Sequence, residues 1–303
     1  MPTTYHDQFF IIDPNSPPPS GSILYVTGMT LVDQNSDGDF GSNEGDTING
    51  SEITAVYKGD KITVKLPDGS TVQIKGATLY LDNGLKVFTP TDDSLLVSGS
   101  EFVSSKWVSK STKLKAKDLG PSCFVRGTLI KTETGPRPIE TLEEGDRVWT
   151  HAGGWQPILW ISRRKVEGLR ENMPVRIRAG ALGNRADVRV SPQHRIVLSD
   201  WRAEMFFGAP QVLIAAKHLV SVHDDIHYDP VPEVEYLHIL LDGHYIIDSE
   251  GLLSESFDPG GDFARLDPLV QKEAHDRFPH LFDAPSPTVL PVAKGHDVQA
   301  LTL

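Results

Sequence analysis

Alternation of apolar and polar residues, broken at short intervals by turn residues, is the feature that most constrains this chain. Ile62, Val64 and Leu66 alternate with Lys61, Thr63 and Lys65, and Val72 and Ile74 resume the pattern after Pro67-Asp68-Gly69. A period of two puts one face of a strand on a core and the other on water. Leu79-Tyr80-Leu81 and Leu85-Lys86-Val87-Phe88 flank Asp82-Asn83-Gly84, a hairpin signal. Further strand-like runs are Leu129-Ile130, Arg147 to Trp149, Ile158 to Ile161, Val175 to Ile177, Val188 to Val190, Arg195 to Leu198, Val212 to Ile214 and Tyr236 to Leu241. Many short strands with frequent turns specify an all-β fold. The character changes after Pro259. There Asp267-Pro268 supply an N-cap and first-turn pair, and Val270, Ala274 and Phe278 recur at helical spacing until Pro279.

Length allows two domains. Residues 1–21 close on Pro17-Pro18-Pro19-Ser20-Gly21 and read as an irregular arm, followed by strands from Ser22. Residues 104–122 are rich in serine and lysine, end in Gly120-Pro121-Ser122, and read as a linker. The expected division is a small N-terminal β domain with its linker over 1–121, a second β domain over 122–260, and a short helix with an irregular tail over 261–303. The 29 basic and 41 acidic residues give a net charge of −12, which argues against a nucleic-acid partner. No run of 18 apolar residues exists, so no membrane span is expected. Met1 to Asp7 carry no basic region followed by an apolar core, hence no secretory signal, which leaves a cytoplasmic location or leaderless export.

Cys123 is the only cysteine among 303 residues, so it has no partner for an internal disulfide. A lone cysteine is usually a small buried apolar residue, and a nucleophile needs a histidine brought to it by the fold. From Cys123 the chain reads Cys-Phe-x-x-Gly-Thr-x-Ile-x-Thr-x-x-Gly-x-x-x-Ile-Glu-x-Leu-x-x-Gly-Asp-x-Val, ending at Val148. Ser191-Pro192-Gln193-His194 follows a strand-like run, and Glu235 to Tyr245 leads on to Glu250-Gly251-Leu252-Leu253. These three ordered blocks, spanning about residues 121–258, resemble the Hint superfamily, the self-processing domains of inteins and hedgehog proteins. The closest likeness in kind is to its bacterial, intein-like, non-splicing members. The resemblance implies a flattened, horseshoe-like β fold and autocatalysis.

It also implies that the Cys123 thiol attacks the Ser122 carbonyl, converting the amide to a thioester by an N-to-S acyl shift. His194 is then the expected general acid, since a histidine titrates near neutrality. Ser191 replaces the family's threonine and is expected to orient the scissile amide. His238 falls near a position where the family often carries an assisting polar group. Splicing members end in His-Asn before a second nucleophile, whereas Glu255-Ser256 stand there and Phe257 follows. Neither can cyclise as asparagine does, so no splicing is expected, and water or an external small or protein nucleophile resolves the thioester. The substrate is the chain's own N-terminal segment, and no cofactor is required.

Two further clusters offer ligands. Asp33, Asn35, Asp37, Asp39 and Glu44 match calcium-loop spacing, with Gly38 at the turn. Strand-like flanks argue against an EF-hand and for a polar hairpin loop. His218, His223 and His227 contain a zinc-like spacing but read as a solvated loop, and Arg163-Arg164-Lys165 as an exposed turn. Three readings compete: a self-cleaving protein, a non-cleaving Hint fold serving as a structural or secreted binding module, and a calcium-dependent surface protein.

Overall fold

Strands account for most of the ordered backbone in the computed structural model, which describes all residues except 1, 92–93, 95, 117–118, 120–121, 170–171, 261, 284–287, 294 and 302–303. The chain divides into two units. One comprises Met1–Gly120 with Phe263–Gln271, and the other Pro121–Asp262 with Lys272–Leu303.

In the first unit, Ser51–Lys65, Thr47–Ile48, Val26–Asp33, Thr3–Ile11, Lys86–Pro90 and Thr71–Leu81 lie side by side. Thr71–Leu81 pairs back onto Ser51–Lys65, which closes these six strands on themselves, while Ser100–Lys106 and Ile23–Leu24 extend the sheet from Ser51–Lys65. The Asp82-Asn83-Gly84 hairpin forms as read. Leu81 N–H donates to the Leu85 carbonyl at 2.9 Å, and Gly84 takes φ +87, a left-handed value that favours glycine.

Of the expected arm over residues 1–21, Thr3–Ile11 is a strand instead. Thr3–Ile11 pairs with Val26–Asp33 along its length, from Thr3 opposite Asp33 to Phe10 opposite Val26. Tyr5, Phe9 and Phe10 supply the apolar surface that holds it, and Asp7 and Gln8 are buried with them. The linker is not fully free either. Leu114–Lys115 pairs with Asp39–Phe40, and Leu114, Ala116 and Leu119 join the core around Leu31 and Ile53. Lysines alternate with these apolar positions, so a strand looked like a charged tether. Lys117, Gly120 and Pro121 of that expected linker lie outside the described residues.

The second unit holds two sheets around one core that includes Phe124, Ile130, Val190, Ile196 and Leu237. One sheet runs Trp160–Gly168, Val231–Leu240, Phe124–Val125, Val188–Val190, Val175–Ile177, Ile226–Tyr228. The other includes Leu129–Thr132, Arg147–Thr150, Ile246–Ser249, Leu252–Glu255, Arg195–Leu198 and Val212–Ala215. Arg163, Arg164 and Lys165 belong to the first of these strands, opposite Leu237, Tyr236 and Glu235, rather than to a turn. They are exposed, as expected, on a strand at the end of its sheet.

The helix read after Pro259 spans Pro268–Arg277, with Leu269 N–H on Asp267 Oδ1 at 2.9 Å. Pro279 ends it but opens a second helix, Pro279–Asp283, because proline suits a first helical turn. The expected tail is partly structured: Gly295–Val298 is helical, and Ala293, Val298 and Leu301 are buried in the core of the second unit. No helix among the described residues is long and apolar enough to cross a membrane.

Candidate functional site

Sheet register delivers the candidate site. Phe124–Val125 lies between two strands, with Phe124 opposite Val190 on one side and Leu237 on the other. In antiparallel pairs, one step back along one strand is one step forward along its partner. The residue before Phe124 is therefore carried to the residues after Val190 and Leu237. These are Cys123, Ser191 and His238.

The contacts follow that register. Cys123 N–H donates to Ser191 Oγ at 2.9 Å, and Ser191 N–H donates to the Cys123 carbonyl at 2.9 Å. His238 Nε2 lies 3.3 Å from Cys123 Sγ. The turn after Ser191 closes with His194 N–H on the Ser191 carbonyl at 3.1 Å and places the His194 ring 4.4 Å from the Phe124 ring. Neither His194 ring nitrogen has a hydrogen-bond partner among the described residues, and His194 is 1% exposed.

Beneath the Ser122–Cys123 bond lies a buried polar layer. Ile196 pairs with Ser254, so Arg195 comes alongside Glu255. Glu255 Oε1 accepts from Ser122 Oγ at 2.6 Å and from Arg195 N–H at 2.9 Å. Its Oε2 accepts from Arg195 Nη1 at 3.0 Å and faces His244 Nε2 at 3.3 Å. His244 Nδ1 accepts from Val289 N–H, so the neutral ring carries its proton on the nitrogen that faces Glu255. Ser122 N–H reaches Asp262 Oδ1 at 3.4 Å.

Electrostatics here are those of a dry site. Burial pushes the Cys123 thiol far up, Asp262 adds to that, and Arg164 and the Ser191 hydroxyl oppose it. The thiol is therefore protonated at neutral pH. Burial pushes His238 down to about 4, although a hydrogen bond to the Ser122 backbone pulls the other way. A backbone group that favours a charged ring is an acceptor, so that partner is the Ser122 carbonyl. Burial likewise pushes His194 down to about 4, against the pull of Glu255. His194 is thus not the near-neutral group that its residue type promises. For Glu255, burial favours the neutral acid, but Arg195 and then His244 outweigh it, and the carboxyl is held ionised.

Of the expected residues, Cys123, Ser122, Ser191 and His238 meet directly, and His194 joins them through the Phe124 ring and the Ser191 turn. Arg195, Glu255 and Asp262 were not expected. Arg195 opens an otherwise apolar strand, a signal that was available.

In the N-terminal loop, Asp37, Asp39 and Glu44 come together with carboxylate oxygens within 4.8 Å of one another. The Lys113 ammonium spans all three, at 2.7 Å from Asp39. Asp33 accepts backbone N–H groups of Ser36 and Gly38, and Asn35 Oδ1 accepts from Asp37 N–H. The loop therefore already holds a cation of its own. Among the described residues these three form the one cluster with metal-ligand spacing, so His218, His223 and His227 are not brought together.

Residues 122–261 match the family model described as the Hint domain. This segment is a Hint domain. Among solved structures the chain is similar to the crystal structure of the gp41-1 intein, at 14% identity over 44% of this chain and 97% of that one, with a TM-score of 0.29. A variant of the same intein matches at 14% identity over 44% of this chain and 98% of that one, also with a TM-score of 0.29. No curated protein matches. The Hint domain begins at Ser122, so the scissile candidate is its first peptide bond.

Proposed function

We propose that the Hint domain cuts its own chain at Ser122–Cys123 by an N-to-S acyl shift. The observation that carries this reading is the register that lays Ser191 Oγ on the amide N–H and His238 Nε2 on the thiol of one residue. Cys123 Sγ bonds to the Ser122 carbonyl carbon, and the thiol proton passes to His238. The same ring lies at the Ser122 carbonyl, where an N–H donor meets the oxyanion that develops. The carbon–nitrogen bond then breaks. The amine nitrogen, hydrogen-bonded to Ser191 until that point, takes the proton that His238 gained from sulfur, relayed through His194, the buried ring on the Ser191 turn, so that both rings end neutral as they began. The net change moves one proton from sulfur to nitrogen and exchanges an amide for a thioester. Water or an added thiol releases the acyl group. Glu255 supports the step by fixing Ser122 from below.

Dithiothreitol is expected to induce scission between Ser122 and Cys123, and Cys123→Ala to abolish it. Ser191→Ala frees the amide and is expected to slow scission about 100-fold. Ser191→Thr keeps the hydroxyl and should stay within about tenfold of the native rate. Equal slowing in both variants would show that the hydroxyl is not what matters. The burial of the thiol favours a second reading, a Hint fold that does not cleave. An intact chain under thiol at every pH selects that one.

A further inference from the structure

Cutting a chain before Cys123 separates its covalent halves, but the first unit includes residues from both sides of the cut. Phe263–Gln271, from the C-terminal side, belongs to it. Arg265 is 4% exposed, and its Nε donates to Asp7 Oδ1 at 2.9 Å. Asp7 is fully buried in the strand Thr3–Ile11, where a carboxylate needs a charged partner. Leu266 is buried as well, and His6 Nε2 lies 3.5 Å from Asp267 Oδ2.

The fit is close at the backbone. A Cβ on Gly28 would come within 2.9 Å of both the Ala264 carbonyl oxygen and Gln271 Nε2, so glycine is what lets the segment lie on that strand. Gln271 Nε2 donates to the Leu266 carbonyl at 2.8 Å, which holds the segment in its bent form.

We propose that Phe263–Gln271 is a strap, and that a cut at the Ser122–Cys123 junction leaves residues 1–122 bound to the rest of the chain without a covalent link. The partner that the first unit fits is thus this chain's own segment, carried by the Hint domain's C-terminal side. Scission then unmasks the acyl end of residue 122 and the amine of Cys123 without discarding the N-terminal unit. The strap does not depend on the cleavage chemistry and goes beyond it.

The test uses the full chain in a Cys123→Ala background, with a protease recognition sequence inserted between residues 120 and 121. After cutting, both fragments are expected to co-elute in size-exclusion chromatography at micromolar concentration. Gly28→Leu, which pushes the strap off, and Arg265→Gln, which removes its charge, should each weaken fragment association at least tenfold. Circular dichroism of the cut and separated N-terminal fragment checks that its strands survive. Native fragments that part on the column would overturn the proposal. So would fragments that stay together equally well in both variants, because something other than the strap would then hold them.

Discussion

Arg195→Met is expected to destabilise the Hint domain by about 3–5 kcal/mol, the usual cost of leaving one member of a buried ion pair without its partner. Glu255 is fully buried and Arg195 is 2% exposed, so water cannot take the place of the lost guanidinium. The charge left behind also loses its donor at 3.0 Å, while Ser122 Oγ and Arg195 N–H remain on Oε1. Urea unfolding followed by tryptophan fluorescence reads this unit well, since Trp149, Trp155, Trp160 and Trp201 all lie in it. Arg195→Met/Glu255→Gln should recover part of the loss, because it removes the stranded charge. A cost below about 1 kcal/mol for Arg195→Met alone would mean that the layer under Ser122 is hydrated, and its role in fixing the scissile residue would fall with it.

Stability of the same unit is expected to fall steeply between pH 6.5 and pH 4. His194 and His238 are held neutral by burial, with values near 4 against 6.5 in the unfolded chain. In that window the unfolded state binds protons that the folded state refuses, so the slope of stability with pH is positive. The contribution is fully present above pH 6.5 and is lost as pH drops toward 4. At about 1.4 kcal/mol per pH unit, the gap is worth about 3 kcal/mol for each ring, on the order of 6 kcal/mol for the two. Glu255, held ionised by Arg195 and His244, yields its own share only at still lower pH. Urea midpoints at pH 7, 5.5 and 4.5 measure the slope, and His194→Phe should remove about half of it. A flat profile over that range would mean that both rings are solvated, and a dry site could not then be claimed.

Much of this site was legible because it rests on register, and register is written in alternation. Val188-Arg189-Val190 ends one residue before Ser191, and Leu237 stands one residue before His238 within the run from Tyr236 to Leu241. Once these strands flank Phe124, both groups must meet Cys123. The layer below was not legible. Glu255 and Ser122 are separated by 133 residues, and Glu255 and Arg195 by 60, and no local pattern announces such a pair. The N-terminal strand was misread for a related reason. Asp7 and Gln8 are buried, which breaks alternation, and their partners are Arg265 and the Leu96 N–H, far along the chain. In each case a polar residue looked like surface because the group that satisfies it lay out of reach of local reading.

The most direct test of the central claim is the mass of the products after incubation with hydroxylamine. Hydroxylamine attacks a thioester far faster than an amide. Two species are expected, residues 1–122 ending in a hydroxamate on Ser122 and residues 123–303 beginning with a free Cys123 amine, and neither from Cys123→Ala. An intact chain, or a cut that survives Cys123→Ala, would contradict it.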